Sequence, residues 1–312
     1  MSKISARGFA RILLATDGSP SSLEACEAAV SIAKSYESSV TVLSAIPSAS
    51  AFATPLGGKY HSLQVEKARQ VVETAASTLK GGGVDVVKTE TPQSKASPVE
   101  TIVEYASGAA IDLIVMGTRG LGGLKRALLG SVSSGVASAA PCATLVVRAK
   151  GKEGGAKAHQ RAVGSVGSIL VATDGSENAQ EALVAAVDLA KHLNAKLEIV
   201  HAAHVSGVLW AVGIPGSTVP SQEIEEDIVR RGEEIVSRAA KFVEEGGLPK
   251  PKTYVLTRME SPAQGITDLA ETEGSDLIVT GTRGNGGFKK MLLGSVASGV
   301  LQYAPCSVLV VK

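Results

Sequence analysis

The chain has 312 residues, of which 44% are hydrophobic, and this length suffices for two ordinary domains with a core in each. Its 31 lysines and arginines balance 30 acidic residues, so no overall field attracts nucleic acid or an anionic membrane. The apolar runs are about five to six residues long, against about 20 needed to span a bilayer, and the first is too short for a secretory signal. We therefore expect a soluble, cytoplasmic protein without a nucleic-acid or membrane partner.

An internal repeat organises the chain. The segment ILLATDGS at 12–19 returns as ILVATDGS at 169–176, an offset of 157, whereas GTRG and APC return at an offset of 164. The difference of seven residues places an insertion in the second half, within VSGVLWAVGIPGSTVPSQ. We predict a first domain over residues 1–150, a linker rich in Gly, Lys and Ala over 151–165, and a second domain over 166–312.

Within each half, apolar strands alternate with helical patterns. The first strand, RILLATD or ILVATD, precedes a helix for which residues 21–24 and 178–181 form candidate capping boxes. A second strand follows, then a long polar helix (about 62–81 and 222–246), a third strand, and a helix with proline in its first turn. The fourth strand, DLIVMG or DLIVTG, leads into a glycine-rich segment, a short helix and a last strand.

This alternation predicts an α/β fold. Each half is expected to be a doubly wound, Rossmann-like domain with a mainly parallel five-stranded sheet and helices on both faces. In such sheets ligands bind beyond the carboxyl ends of the strands, where the winding reverses. Asp17 and Asp174 end the first strand of each half, and Gly117 and Gly281 end the fourth. If these strands are neighbours, a carboxylate and a glycine loop face each other across one crevice.

The glycine-rich segments are MGTRGLGGLKRALLGSV at 116–132 and TGTRGNGGFKKMLLGSV at 280–296. Glycines such as Gly117 and Gly120 would let the backbone approach a ligand without a Cβ in the way. The Gly130–Ser131 pair opens a helix whose unpaired N–H groups favour an anion. These features predict a phosphate cradle, although each loop could instead be a plain turn. Basic side chains, which would neutralise phosphate charge or simply be solvated, are Arg119, Lys125, Arg126, Arg283, Lys289 and Lys290.

The pattern GxxG, nine residues, Gly-Ser is similar to the nucleotide-binding signature of the universal stress protein family. It occurs twice, at Gly117, Gly120, Gly130 and Ser131 and at Gly281, Gly284, Gly294 and Ser295. With the ATDGS segment and the APC strand entry, the resemblance covers nearly all of both halves. The chain thus resembles a tandem member of the ATP-binding type.

The resemblance implies which residues contact the ligand. The aspartate after the first strand would lie beside the adenosine or its metal, main-chain atoms after the second strand would reach the adenine, and the glycines and the helix start would hold the phosphates. ATP is the expected ligand, with ADP or AMP as alternatives and magnesium as a compatible metal. The implied residues are Asp17, Ala45, Gly117, Arg119, Gly120, Gly130, Ser131, Val132 and Ser133, and in the second half Asp174, Ala202, Gly281, Arg283, Gly284, Gly294, Ser295, Val296 and Ala297.

Three of these residues, Asp17, Asp174 and Ala297, need a further statement. Asp17 and Asp174 could merely support the Asp-Gly-Ser turn before the first helix. Ala297 stands where the first half has Ser133, so the second site lacks one hydroxyl. Since a hydrogen bond is worth about 0.5–1.5 kcal/mol net, we expect binding in the second half to be weaker but not lost.

The residues give little support for catalysis. No Walker lysine follows the phosphate loop and no GxGxxG follows the first strand, which argues against a P-loop ATPase or a dinucleotide oxidoreductase. None of the five histidines recurs in both halves, and His201 and His204 would point to opposite faces of a strand. We expect a stress-response or signalling module that acts through nucleotide-dependent conformation or partner binding. A slow metal-dependent ATPase or adenylate-handling enzyme is the alternative, and a scaffold with a structural nucleotide is a third hypothesis.

The last strand of each half, CATLVV or CSVLVV, is apolar and expected at a sheet edge, which invites pairing. In the resembling family this strand pairs two domains about a twofold axis. The resemblance therefore implies that the two halves pair with each other and that two chains could associate further as a homodimer. The sequence does not identify a protein partner.

Overall fold

The computed structural model describes residues 8–47, 57–85, 87–94, 97–118, 129–148, 166–203, 222–284 and 293–312. The chain divides into two compact units, one formed mostly by residues 5–165 and the other mostly by residues 166–306. Each unit is an α/β domain with a parallel sheet flanked by helices, which confirms the predicted fold class. The predicted linker, and the predicted insertion up to residue 221, lie outside the described residues, so the domain boundaries stay a prediction.

The first domain has its sheet in the order β3-β2-β1-β4-β5, with every neighbouring pair parallel. β1 and β4 are therefore neighbours at the point where the winding reverses, with Ala15 opposite Met116. This confirms the arrangement that the crevice hypothesis requires. In chain order the described elements are β1 (Arg11–Ala15), α1 (Pro20–Tyr36), β2 (Ser39–Leu43), α2 (Gly57–Gly81), β3 (Val87–Glu90), α3 (Pro98–Gly108), β4 (Leu113–Gly117), α4 (Ser131–Ala139) and β5 (Ala143–Val147).

The second domain repeats this plan in the order β8-β7-β6-β9-β10. β6 and β9 are parallel neighbours at the reversal, with Val171 opposite Val279. The described elements are β6 (Ser168–Ala172), α5 (Glu177–Leu193), β7 (Lys196–Ala202), α6 (Gln222–Glu245), β8 (Lys252–Leu256), α7 (Pro262–Glu273), β9 (Leu277–Gly281), α8 (Ser295–Tyr303) and β10 (Ser307–Val311).

The core of each domain lies on both faces of its sheet. Consecutive residues Ile12, Leu13 and Leu14 of β1 are all fully buried, as a parallel sheet covered on two sides requires. In α5 the apolar residues at helical spacing, including Leu183 and Ala186, are buried against the sheet. Within the described residues, no helix is both long and apolar enough to cross a membrane.

The first helix of each domain begins before the capping boxes that we predicted. α1 and α5 start directly after Ser19 and Ser176, whose side chains accept from the amides of Ser22 at 3.4 Å and Ala179 at 3.3 Å. The boxes two residues further on are therefore wrong, because the Asp-Gly-Ser turn brings its own serine to the helix start. The prolines that open α3 and α7 do stand in the first turn, each after a capping serine, as predicted.

Candidate functional site

A tight turn leads from the first strand of each domain into its first helix. Asp17 Oδ1 accepts from the Ser19 amide at 3.0 Å, and Asp174 Oδ1 accepts from the Ser176 amide at the same distance. The glycine between each aspartate and its serine has a positive φ, +77° at Gly18, which a residue with a Cβ rarely adopts. Both aspartates therefore support the turn, the alternative left open by the sequence, and are held at the carboxyl ends of β1 and β6.

The glycine that ends β4 or β9 makes room for a helix of the same domain. A Cβ on Gly117 would lie 2.6 Å from the backbone C and O of Ser21 in the first turn of α1. On Gly281 it would lie 2.6 Å from the backbone O of Asn178 in α5. Close packing of helix on strand, rather than the approach of a ligand, thus explains why these two positions need glycine.

The second glycine of the GxxG pattern has a different neighbour. A Cβ on Gly284 would overlap Oδ2 of Asp174. The glycine loop and the carboxylate of the second domain therefore meet directly, as the crevice hypothesis predicted. The corresponding Gly120 lies outside the described residues, as do Arg119 and the other basic positions except Arg283, which is exposed.

A hydrogen bond joins the two ends of each glycine loop. The Gly130 amide donates to the Thr118 carbonyl at 2.8 Å, and the Gly294 amide donates to the Thr282 carbonyl at 2.7 Å. A Cβ on Gly294 would lie 3.2 Å from that same carbonyl oxygen. The chain thus leaves the end of β4 or β9 and returns to the same place to begin α4 or α8.

The starts of α4 and α8 differ from those of the other helices whose caps are described. α1, α3, α5 and α7 each have a serine whose side chain accepts from the first turn. α4 and α8 have Gly130 and Gly294 at the N-cap, and no side-chain cap hydrogen bond is formed there within the described part of the chain. Ser131 and Ser295, the first residues of these helices, are exposed. Such N-termini combine backbone donors with the positive end of the helix dipole.

Ser133 has a role that the sequence did not indicate. Its hydroxyl lies 2.9 Å from the Thr118 carbonyl and 3.0 Å from the Gly130 carbonyl, and the residue is only 2% exposed. The hydroxyl proton is donated within the loop and not offered to a ligand. We expected weaker binding in the second half because Ala297 lacks this hydroxyl. The structure removes that reason, since the missing hydrogen bond is one within the loop and not one to the ligand.

The main chain after β7 is directed toward the end of β6. The Ala203 amide donates to the Leu256 carbonyl of β8 at 2.9 Å, whereas the Val200 carbonyl accepts from the Thr173 amide at 2.9 Å on the opposite side. Successive residues of a parallel strand bond to opposite neighbours. The main chain of Ala202 therefore faces the carboxyl end of β6.

The first domain has the same arrangement. The amides of Ser44 and Ile46 donate to the carbonyls of Glu90 at 3.1 Å and Pro92 at 2.9 Å, on the β3 side. Ala45, which lies between them, accordingly faces the end of β1. Both alanines implied as adenine contacts therefore direct their main chain toward the crevice.

Sequence reasoning missed one side chain of the second site. His201 Nδ1 lies 2.8 Å from the carbonyl oxygen of Thr173, the residue before Asp174. The sequence weighs against His201 as a metal ligand, since it does not recur in the first half and would point away from His204, and it gives no sign of this contact with the main chain. Among the described residues, no group of three or more acidic, histidine or cysteine side chains could hold a metal alone. His204 lies outside those residues.

Comparison with known proteins identifies the family. The model of the Universal stress protein family matches residues 8–148 and again 166–312. A universal stress protein of Mycobacterium tuberculosis is 31% identical over 253 residues, 80% of this chain and 78% of the relative. One of Methanocaldococcus jannaschii is 39% identical over 145 residues, 46% of this chain and 81% of the relative.

The solved structures agree on the fold. A universal stress protein from Archaeoglobus fulgidus superposes with a TM-score of 0.64 at 24% identity, covering 97% of this chain and 96% of its own. That likeness extends over both domains and concerns the fold. The two family matches in tandem and the mycobacterial relative establish what the glycine loops suggested: the chain belongs to the universal stress protein family.

Proposed function

We propose that each domain binds ATP at the crevice between its first and fourth strands, and that occupancy sets the conformation or partner affinity of a stress-response module. One observation, present in both domains, carries the proposal. α4 and α8 begin at a glycine, receive no side-chain cap from the residues that the structure describes, and are hydrogen-bonded to the end of β4 or β9 where the winding reverses. Helix N-termini at this place in an α/β sheet favour phosphate.

The main chain supports an adenine base beside those phosphates. Ala45 and Ala202 direct their main chain toward the ends of β1 and β6, across from the start of the glycine loop. A backbone N–H and C=O pair offers one donor and one acceptor, which match the edge of adenine. ATP is therefore the proposed ligand, and ADP and AMP are the alternatives to be compared in the same titration.

The carboxylates suit a bound cation. Asp174 Oδ2 adjoins Gly284, so a polyphosphate in the loop would meet a negative charge. Carboxylate and phosphate oxygens are the ligands that Mg²⁺ prefers. Asp174, and Asp17 in the equivalent turn, would hold this ion, which when bound would neutralise charge between the carboxylate and the phosphates.

The test replaces Gly120 and Gly284 together with valine and measures ATP binding by calorimetry with magnesium. We expect binding to be lost at both sites, because a side chain on Gly284 displaces the Asp174 carboxylate and fills the loop. The control is Gly108→Val, at a position where a Cβ meets nothing within 4 Å. Unaltered ATP affinity in the double variant, with circular dichroism like that of the wild type, would refute the proposal.

A slow metal-dependent ATPase is the second candidate, favoured by the contact of Asp174 with the loop. Asp17 and Asp174 would then position the metal, and replacing both with asparagine should abolish phosphate release. Release that continues at the same rate in the double variant would remove this candidate without affecting the binding proposal.

The setting of this activity is also a proposal. We infer a cytoplasmic module and association of two chains, and pairing of the two halves through their last strands stays a prediction. Light scattering at micromolar concentrations tests the association of chains. A mass of one chain throughout would contradict it.

A further inference from the structure

One hydrogen bond fixes the ring of His201 beside the second site. It stands on β7 one residue before Ala202, is 9% exposed, and has Nδ1 2.8 Å from the Thr173 carbonyl oxygen. Since a carbonyl oxygen only accepts, Nδ1 must carry a proton. The ring thus donates to the peptide that leads into Asp174.

This contact occurs where the strand ladder would otherwise continue. The Thr173 amide donates to the Val200 carbonyl at 2.9 Å. In a continued parallel ladder, the Thr173 carbonyl would next accept from the amide of Ala202. His201 places a ring N–H at that acceptor, so the Thr173 carbonyl is satisfied without the Ala202 amide.

The first domain builds the same turn without a histidine. Ser44 stands at the position of His201, and the Thr16 hydroxyl donates to Ser22 Oγ at 3.0 Å. The second domain has Ala179 in place of Ser22. Ser22 on the helix bonds the side-chain hydroxyl of Thr16, whereas His201 on the strand bonds the main-chain carbonyl of Thr173. The first domain thus forms its turn with Ser44 at the position of His201, so the fold alone does not demand an imidazole there.

A glycine in the covering helix makes room for the ring. A Cβ on Gly232 of α6 would lie 3.1 Å from His201 Cδ2 and 2.6 Å from Val255 Cγ1. The imidazole is thus confined between the sheet and α6. This confinement keeps its Nδ1–H directed at Thr173.

We propose that His201 is a positioning residue of the second nucleotide site: its Nδ1–H occupies the Thr173 carbonyl and leaves the Ala202 main chain directed at the base of the ligand. The inference rests on the proposed function of this crevice. In this proposal His201 affects only recognition of the base, and the glycine loop binds the phosphates.

The test compares His201→Leu, which removes the donor, with His201→Asn, which keeps an N–H near the same place. Both are made in the full chain carrying Gly120→Val, so that calorimetry reads the second site, and each is titrated with ATP and with inorganic tripolyphosphate in magnesium. We expect H201L to weaken ATP binding about threefold to tenfold, the value of one neutral hydrogen bond. H201N should stay within about twofold of the parent, and tripolyphosphate affinity should be the same in all three chains.

The outcomes separate the inference from the proposed function. Parental ATP affinity in H201L would overturn the inference, and so would an equal loss for ATP and tripolyphosphate, since that marks a general disturbance of the domain. No ATP binding by the parent chain would refute the proposed function of the second domain and the inference with it. If H201L does not fold, His201→Ser, the residue of the first domain, takes its place with the same readouts.

Discussion

Two glycines of one motif should fail in different ways when each is changed to alanine. In Gly281→Ala, the new Cβ lies 2.6 Å from the backbone O and 2.8 Å from the backbone C of Asn178. Ordinary contacts begin near 3.4 Å, so strand and helix must separate by several tenths of an ångström. Overpacking of this kind costs about 1–3 kcal/mol, less about 0.4–1 kcal/mol regained from the stiffer unfolded chain.

In Gly284→Ala the nearest atom to the new Cβ is Oδ2 of Asp174, so this carboxylate must shift and its hydrogen bond from the Ser176 amide is weakened. We therefore expect G281A to lower the Tm of the second domain, by about 2–4 °C for each kcal/mol, whereas G284A lowers Tm less, because one hydrogen bond is weakened and no backbone is displaced, and weakens ATP binding. Differential scanning calorimetry and ATP titration of the full chain measure both effects. A wild-type Tm in G281A would refute the packing explanation, and wild-type ATP affinity in G284A would refute the role of the loop.

Three further predictions concern individual side chains. Ser133→Ala should cost about 0.5–1.5 kcal/mol of stability in chemical denaturation, since the hydrogen bond to the Thr118 carbonyl is lost. ATP affinity should be unchanged, and a loss of affinity without a loss of stability would show that the hydroxyl contacts the ligand. Burial, and then the charge of Glu27, raises the pKa of the Cys26 thiol to about 11. In a thiol-reagent assay at pH 8, Cys26 should therefore react far more slowly than the half-buried Cys142 and Cys306, and equal rates would contradict this. Burial, and then the charge of a neighbouring carboxylate, raises the pKa of Glu198, so its ionised form costs stability above that pKa and the cost disappears as pH falls through it. Glu198→Gln should therefore raise Tm relative to wild type near pH 8 and lose the advantage near pH 4, and a difference that grows toward acid pH would reverse the sign of this reasoning.

The architecture was accessible from the sequence because its signals are strong and occur twice. Strands such as β1 and β6 are apolar without interruption, which distinguishes a sheet covered on both faces from one that faces water. The repeat then showed that the Asp-Gly-Ser segment and the glycine loop belong to the same unit. Their positions after the first and fourth strands were enough to place them at one crevice.

Local contacts were less accessible, because several residues of one type compete for one role. Ser19, Ser21 and Ser22 all have the chemistry of a helix cap, and only the turn before α1 decides that Ser19 takes it. The sequence motif does not distinguish the roles of Gly117 and Gly284. Only the tertiary structure shows that a helix backbone packs against the first glycine and a carboxylate against the second.

The two domains also differ where a repeat-based search expects them to agree. His201 bonds the main-chain carbonyl of Thr173 in one domain, and Ser22 bonds the side-chain hydroxyl of Thr16 in the other. Each of these contacts is made by a side chain that its counterpart domain lacks, since Ser44 and Ala179 stand at the matching positions. Recurrence in the two halves therefore detects the shared cradle and overlooks the side chains that each domain uses to hold it.

The central claim is that both crevices bind an adenine nucleotide. The most direct measurement denatures one sample of the purified, unsupplemented chain and identifies any released nucleotide by mass spectrometry. A second, native sample is titrated with ATP and magnesium by calorimetry. We predict a total of two adenine nucleotides per chain, with similar affinities, because the Ser133 hydroxyl bonds within its own loop. No released nucleotide together with no heat of ATP binding would contradict it.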